Sequence, residues 1–226
     1  LWNKIKVPYI LEIMHIPGHP KSGSFKESFY KNLMRWFIKC DSLRAEKIRV
    51  INKNQTPPFL IKNGIPANKI FYIPAFYIDL NVFYPKELEK EYDLIFVGRL
   101  AENKGINLFL ETALQLGVRT VIVGDGPLKE KIKKIKGHKL GNKITLKGWV
   151  ENSEEVAELL NRSRTLIMPS YNEGGPRVVL EAMACGVPVL ATPVGVVPDI
   201  IKDGESGRVI DWDAEDITRK AERILS

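Results

Sequence analysis

Glu173 and Glu181 stand eight positions apart in the stretch P-S-Y-N-E-G-G-P-R-V-V-L-E-A-M-A-C-G-V-P, residues 169–188. Pro176 suits the first position of a helix, Gly186 suits the residue just past its last turn, and Pro188 cannot continue it. The spacing therefore predicts a helix over 176–185, with Glu173 in the loop before it. Val178, Val179, Leu180, Ala182, Met183 and Ala184 leave almost no polar face around Glu181, so the helix is expected to be buried nearly all round. A carboxylate in that setting requires a partner, because uncompensated burial is costly or shifts its pKa. Two kinds of partner fit: an Arg or backbone amide of the protein, or the hydroxyls of a ligand seated at the helix start. The backbone amides of Gly174, Gly175 and Arg177, around Pro176, lie where unbonded N–H groups and the helix dipole favour an anion. A phosphate at the helix mouth and a sugar hydroxyl at Glu181 together describe a nucleotide.

Arg99 and Lys104 occur in F-V-G-R-L-A-E-N-K-G, residues 96–105, directly after an apolar run that reads as a strand. Taken singly, each is most simply a solvated surface charge. At the carboxyl end of a strand beside a phosphate-binding helix start they can instead neutralise a diphosphate, and can replace a metal ion when that diphosphate departs. The string G-D-G-P at 124–127 is first of all a turn.

Those residues must be held by an alternating framework. Apolar runs at 94–97, 120–123, 143–146, 165–168, 187–191 and 208–210 read as strands. Helical periods at 106–116, 128–136, 154–161, 176–185 and 214–225 lie between and after them. Strand and helix in alternation predict an α/β fold, a Rossmann-like parallel sheet with helices on both faces, whose ligands bind beyond the carboxyl ends of the strands. Each of the motifs above follows a strand, so they gather on one edge. The first part of the chain reads as part of a second Rossmann-like domain, with strands at 9–14, in the region before 51 and at 70–73, and a helix at 25–39. The expected division is 1–78 for that domain, 79–91 for a linker and 92–226 for the ligand-binding domain. The 25–39 helix carries Phe29, Tyr30, Leu33, Met34, Trp36 and Phe37 beside Lys26, Lys31, Arg35 and Lys39. Such a stripe is either a core face or a surface that meets an anionic membrane.

Composition narrows the classes. In 226 residues there are only two cysteines, Cys40 and Cys185, which excludes a disulfide framework or a cysteine metal site and points to a reducing cytoplasm. The longest apolar region, 178–198, is broken by Glu181, Gly186, Pro188 and Pro193, so it cannot cross a membrane as a helix. The net charge is +7, and eight lysines fall between Lys129 and Lys147. Ile132 and Ile135 among them indicate an amphipathic helix with a solvated basic face; nucleic acid is disfavoured because no aromatic residues interleave with the lysines.

Taken together, I-P-A-F-Y-I-D-L-N-V-F-Y-P (73–85), F-V-G-R-L-A-E-N-K-G (96–105), G-D-G-P (124–127), L-K-G-W-V (146–150), the 169–192 stretch and D-G-E-S-G (203–207) resemble the retaining glycosyltransferases of family 4, with their two-domain GT-B fold. The resemblance covers nearly the whole chain. It implies transfer of a sugar from a nucleotide-diphosphate-sugar donor to a glycan, lipid-linked or small-molecule acceptor, with retention, with no metal and no cofactor besides the donor. By the same resemblance Arg99 and Lys104 hold the donor diphosphate, Glu173 the sugar hydroxyls, Glu181 the ribose, and the backbone near Trp149 and Val150 the base, while His15 touches the donor sugar or the acceptor. The implied setting is polysaccharide or glycolipid synthesis in the cytoplasm, with peripheral contact to an anionic membrane. The loop after the last T-P departs from the family's pattern: it reads Val194-Gly195-Val196-Val197 where paired glycines are usual. The family's opening Gly-rich loop is not present in these residues, so the chain is expected to hold a complete donor-binding domain and the tail of the acceptor-side one, and to transfer sugar poorly by itself. A nucleotide-sugar binding module without turnover, or an epimerase of the same fold, are the competing readings.

Overall fold

A computed structural model describes residues 7–75, 77–135 and 143–226, with the side chain of Asn32 excepted. Two parallel sheets form the framework. The smaller has the order β1-β2-β3, built from β1 (Ile10–Ile13), β2 (Lys47–Val50) and β3 (Ile70–Tyr72). Helix α1 (Phe25–Arg44) connects β1 to β2, and α2 (Thr56–Lys62) lies between β2 and β3. Ile13, Ile48, Val50, Phe59, Leu60 and Ile65 close its core.

The larger sheet runs β6-β5-β4-β7-β8-β9. Its strands are β4 (Tyr92–Val97), β5 (Thr120–Val123), β6 (Ile144–Gly148), β7 (Ser163–Met168), β8 (Val189–Ala191) and β9 (Arg208–Val209), all parallel. Alternation decides which helix covers which face. Ile95, Val121, Leu166 and Val189 point to the side of α5 (Ser153–Asn161) and α6 (Arg177–Ala184). Leu94, Phe96, Ile122 and Leu190 point to the side of α3 (Ile106–Leu116), α4 (Lys129–Ile135) and α8 (Ala214–Leu225). Both faces are thus covered, as a parallel sheet requires. Adjacent β4 and β7 are the strands at which the order reverses, so the crevice of the sheet opens above their carboxyl ends.

The segment before β4 is tied to the larger sheet. Phe83 is buried in its core, and Asn161 accepts from the Lys86 amide at 2.7 Å while donating to the Tyr84 carbonyl at 3.1 Å.

Several expectations change. Helix α6 starts at Arg177, with Pro176 as its cap residue, and only Val179 and Ala182 within it are buried, so it is not enclosed all round. One face packs on the sheet and the other borders a cavity, where apolar side chains such as Val178 remain half-buried. Helix α1 runs to Arg44 rather than ending at 39, and its stripe is not a core face: Phe25, Phe29, Tyr30, Leu33 and Trp36 are all exposed. A 3-10 turn at Glu102–Lys104 and a short helix α7 (Val197–Ile200) were not anticipated. Among the basic residues 129–147, Ile132 is buried and Lys131, Lys133 and Lys134 are exposed, the amphipathic arrangement expected; Lys136 and Lys139 lie outside the described residues.

Candidate functional site

The site is built from the loops that follow β4, β5, β6 and β7. Two adjoining cavities lie there. One, of about 480 Å³, is lined by Gly98, Arg99, Gly124, Trp149, Val150 and Ser153 among others. The second, of about 310 Å³, is lined by Lys104, Ser170, Glu173, Gly175, Pro176 and Val178 among others. Val97, Gly98, Arg177 and Glu181 belong to both, so α6 forms the shared wall.

Glu173 is held by two neighbours. Its Oε1 accepts from the Lys104 ammonium in an ion pair and from the Ser170 hydroxyl at 3.0 Å. The Ser170 carbonyl in turn accepts from Thr192 Oγ1 at 2.6 Å and from the Trp212 indole at 2.9 Å. The loop carrying Glu173 is thereby fixed from three elements, a support that the sequence signalled only through Ser170's place after a strand. Lys104 reaches it because the chain reverses at Gly105, whose φ of 69° is left-handed and whose α-carbon abuts the Pro169 carbonyl: a Cβ there would lie 2.0 Å from that oxygen.

Glu181 is half-buried, and among the described residues no hydrogen bond or ion pair to its carboxylate is present. Its pKa is raised, chiefly by burial, against the opposing pull of the Arg177 guanidinium. Of the two partners open to it in sequence, the structure supplies no protein hydrogen bond, and the carboxylate faces cavity. Arg99 is exposed and makes no ion pair among the described residues. Trp149 is 72% exposed, so its ring is a rim of the first cavity rather than core.

The smaller sheet meets this edge. The Met14 carbonyl lies against Gly174, where a Cβ would come within 2.6 Å of it. Gly195 presses on the other side of the same loop, at 2.1 Å from the Gly174 carbonyl by the same measure. His15 follows Met14; it is exposed and lines neither cavity. The structure therefore brings together Arg99, Lys104, Trp149, Val150, Glu173, Gly175, Pro176, Arg177 and Glu181, with Gly174 in the supporting loop, and leaves His15 at the margin. Physically, three cations (Arg99, Lys104 and Arg177), a helix start and the unpaired carboxylate of Glu181 surround a space able to hold an anion and a polyhydroxyl group side by side.

Residues 81–226 match the sequence family described as Glycosyl transferases group 1. The chain belongs to that family. It is 29% identical over 211 residues to an uncharacterized glycosyltransferase of Methanocaldococcus jannaschii, covering 92% of this chain and 55% of the relative. It is 30% identical over 192 residues to N-acetyl-alpha-D-glucosaminyl L-malate synthase of Bacillus anthracis, covering 78% and 48%. In three dimensions it superposes on sucrose-phosphate synthase from Thermosynechococcus elongatus with a TM-score of 0.82 at 21% identity, over 99% of this chain and 60% of that one. The Anabaena protein HepE, in complex with UDP and glucose, gives 0.79 at 18% identity, over 97% and 62%. At such identities the structural likeness speaks for the fold, which is GT-B. The chain spans about half the length of the curated relatives it matches.

Proposed function

We propose that this group 1 glycosyltransferase chain binds a nucleotide-diphosphate sugar in the paired cavities and serves transfer of its sugar, with retention and without a metal ion, to a glycan, lipid-linked or small-molecule acceptor. The observation that carries the reading is the shared wall. Glu181 and Arg177 border both cavities, so a ribose at Glu181 leaves the base in the 480 Å³ space beside Trp149 and Val150 and sends the diphosphate toward Arg99, Lys104 and the start of α6. Glu173, anchored by Lys104 and Ser170, then faces the sugar hydroxyls in the 310 Å³ space. As the bond from the sugar to the diphosphate breaks, charge accumulates on the departing phosphate oxygens. Fixed cations there stabilise that charge more than they stabilise the bound donor. UDP beside the HepE relative makes UDP the first nucleotide to try.

Titration of UDP, GDP and ADP with and without EDTA tests the binding. Metal-independent affinity for at least one nucleoside diphosphate is expected, and affinity that vanishes with EDTA overturns the metal-free reading. Arg99→Ala is expected to weaken the diphosphate more than the monophosphate of the same base, since only the former reaches the cation. In an active enzyme its loss is expected to lower turnover by roughly 10²- to 10³-fold, about 2.7 to 4 kcal/mol.

Peripheral membrane contact is supported by α1. Phe25, Phe29, Leu33 and Trp36 recur at helical spacing on its outer side and are exposed, with Lys26 and Lys39 also exposed beside them. Among the described residues no helix is long and apolar enough to cross a membrane. Co-sedimentation with phosphatidylcholine vesicles containing phosphatidylglycerol is expected, and is lost in Phe29→Ser/Trp36→Ser. Equal recovery with purely zwitterionic vesicles overturns the electrostatic part of this reading.

A further inference from the structure

A third cavity, of about 490 Å³, opens on the smaller sheet's side of the molecule between α1, α2 and the loop after β1. His19, Arg35, Gln55, Phe59 and Lys62 line it, together with Asn54 and Asn63. Phe59 is its floor. The His19 ring sits 4.9 Å from that ring, and the Arg35 guanidinium 5.3 Å from it. Arg35 Nε is buried and has no hydrogen-bond partner, and among the described residues neither Arg35 nor Lys62 pairs with a carboxylate. Among the described residues no Asp or Glu lines the space. The nearby Asp199 is already engaged, accepting from the Lys53 amide at 2.7 Å and from Asn54 Nδ2 at 2.5 Å. The amides are likewise occupied: Gln55 Oε1 accepts from the Gly195 amide at 2.8 Å, and Asn63 Nδ2 donates to the Phe59 carbonyl at 2.7 Å. What remains unspent is a guanidinium, an ammonium and an imidazole around an aromatic floor, in a volume suited to a small molecule. Burial, then the positive charges of Lys31 and Arg35, lowers the His19 pKa, so an anion entering the cavity relieves an existing excess of positive charge.

A chain of contacts runs from this cavity to the donor cleft. Gln55 lines it and holds Gly195, and Gly195 bears on the Glu173 and Gly174 carbonyls. We propose that this cavity binds the anionic group, a phosphate or a carboxylate, of a small ligand, with Arg35 and Lys62 as its cations. Resting on the reading of the neighbouring cleft as a donor site, that ligand is the sugar acceptor. Arg35 supplies a forked donor against the aromatic floor, and Lys62, at the exposed mouth, supplies a mobile point charge.

The experiment follows the His19 imidazole by NMR while the folded chain is titrated with inorganic phosphate and, separately, with succinate. His19 lines this cavity and neither donor cavity, so phosphate bound in the donor cleft does not contact the reporter, and a direct contact is told from a relayed one by its loss in the Arg35 variant. The expected result is a saturable shift of the His19 resonance and an upward movement of its titration midpoint. Arg35→Gln is expected to weaken the effect on the order of tenfold, as loss of a charge-assisted hydrogen bond does. Lys62→Gln, at an exposed position that folding does not need, is expected to weaken it less. No saturable shift with either anion, or a shift unchanged in both variants, overturns the proposal. UDP is titrated in parallel. Anion binding at His19 without UDP binding supports the pocket and overturns its acceptor role, whereas UDP binding without an anion response overturns the pocket and leaves the donor reading intact.

Discussion

Glu181 shows how much one side chain can reveal. Its place on an apolar helix was plain from the sequence, and so was its need for a partner. Its surroundings were not, because hydrophobic neighbours do not disclose whether they face packed protein or an open cavity. Burial raises its pKa above the unfolded value, so ionising it opposes folding. The stability linked to its protonated form is fully present below the unfolded pKa and is lost as pH rises through the folded one. Donor hydroxyls act in the opposite sense, because they donate to the carboxylate and favour its charged form. We therefore expect nucleotide affinity to fall as pH drops from neutral through a window reaching above the ordinary glutamate range, and Glu181→Gln to weaken binding while flattening that dependence. The same replacement should leave thermal stability at neutral pH unchanged or higher, since it removes a charge whose burial is uncompensated. Calorimetric titration across pH and a melting curve check both. A clear loss of stability with unaltered nucleotide affinity means Glu181 serves the fold through Arg177 instead.

At the scale of elements, each strand of the larger sheet was legible to within two residues at either end, since buried parallel strands are short apolar runs bounded by glycine and proline. The end of α1 was not: no Gly or Pro follows Lys39 before Pro57, and the helix continues until Ala45 turns extended while its amide caps the Asp41 carbonyl. Nor was the tight join of the 3-10 turn to β7 at Gly105. Two left-handed glycines of the same helix separate the effects. Gly117, at the end of α3 with φ of 61°, has only Lys143 Nζ near a hypothetical Cβ, at 3.8 Å, whereas Gly105 at its start has the Pro169 carbonyl at 2.0 Å. Gly117→Ala is expected to cost only the left-handed conformation, about 1–2 kcal/mol. Gly105→Ala should cost more, because backbone must move, and should also weaken nucleotide binding by displacing Lys104 from Glu173. Denaturant unfolding and UDP titration of both variants make the comparison. Equal stability losses with normal binding in both show that the Gly105 approach is not what positions Lys104.

At the scale of the whole molecule, the sequence separated two units but said nothing of how they touch, since contacts between distant segments leave no local period. Asp199 on α7, a helix too short to be read, accepts from Lys53 and Asn54 just after β2; Asn172 donates to Glu27 at 2.9 Å; and the Lys21 amide donates to the Tyr171 carbonyl. These bonds connect the loops of the larger sheet's crevice to the side of the molecule that carries the anion cavity. Asp199→Ala removes two of them. Because they are exposed, the cost to global stability should be small, about 1 kcal/mol. The local cost should be larger in proportion: the amides at 53–55 and 194–196 are expected to exchange faster with solvent, while those of β4 and β5 keep their protection, since opening there needs unfolding of the sheet itself. Phosphate binding reported by His19 should weaken along with the exposed amides, as Asn54 and Gln55 lose their fixed positions, and UDP binding should change less because the side-chain hydrogen bonds of Asp199 go to Lys53 and Asn54, neither of which lines the donor cavities. Hydrogen exchange followed by mass spectrometry, with the two titrations alongside, gives all of these readings on one variant. Faster exchange spread evenly over β4 and β5 would show that the two sheets unfold as one cooperative body, and that the contact at Asp199 is part of a single core rather than a join between separable units.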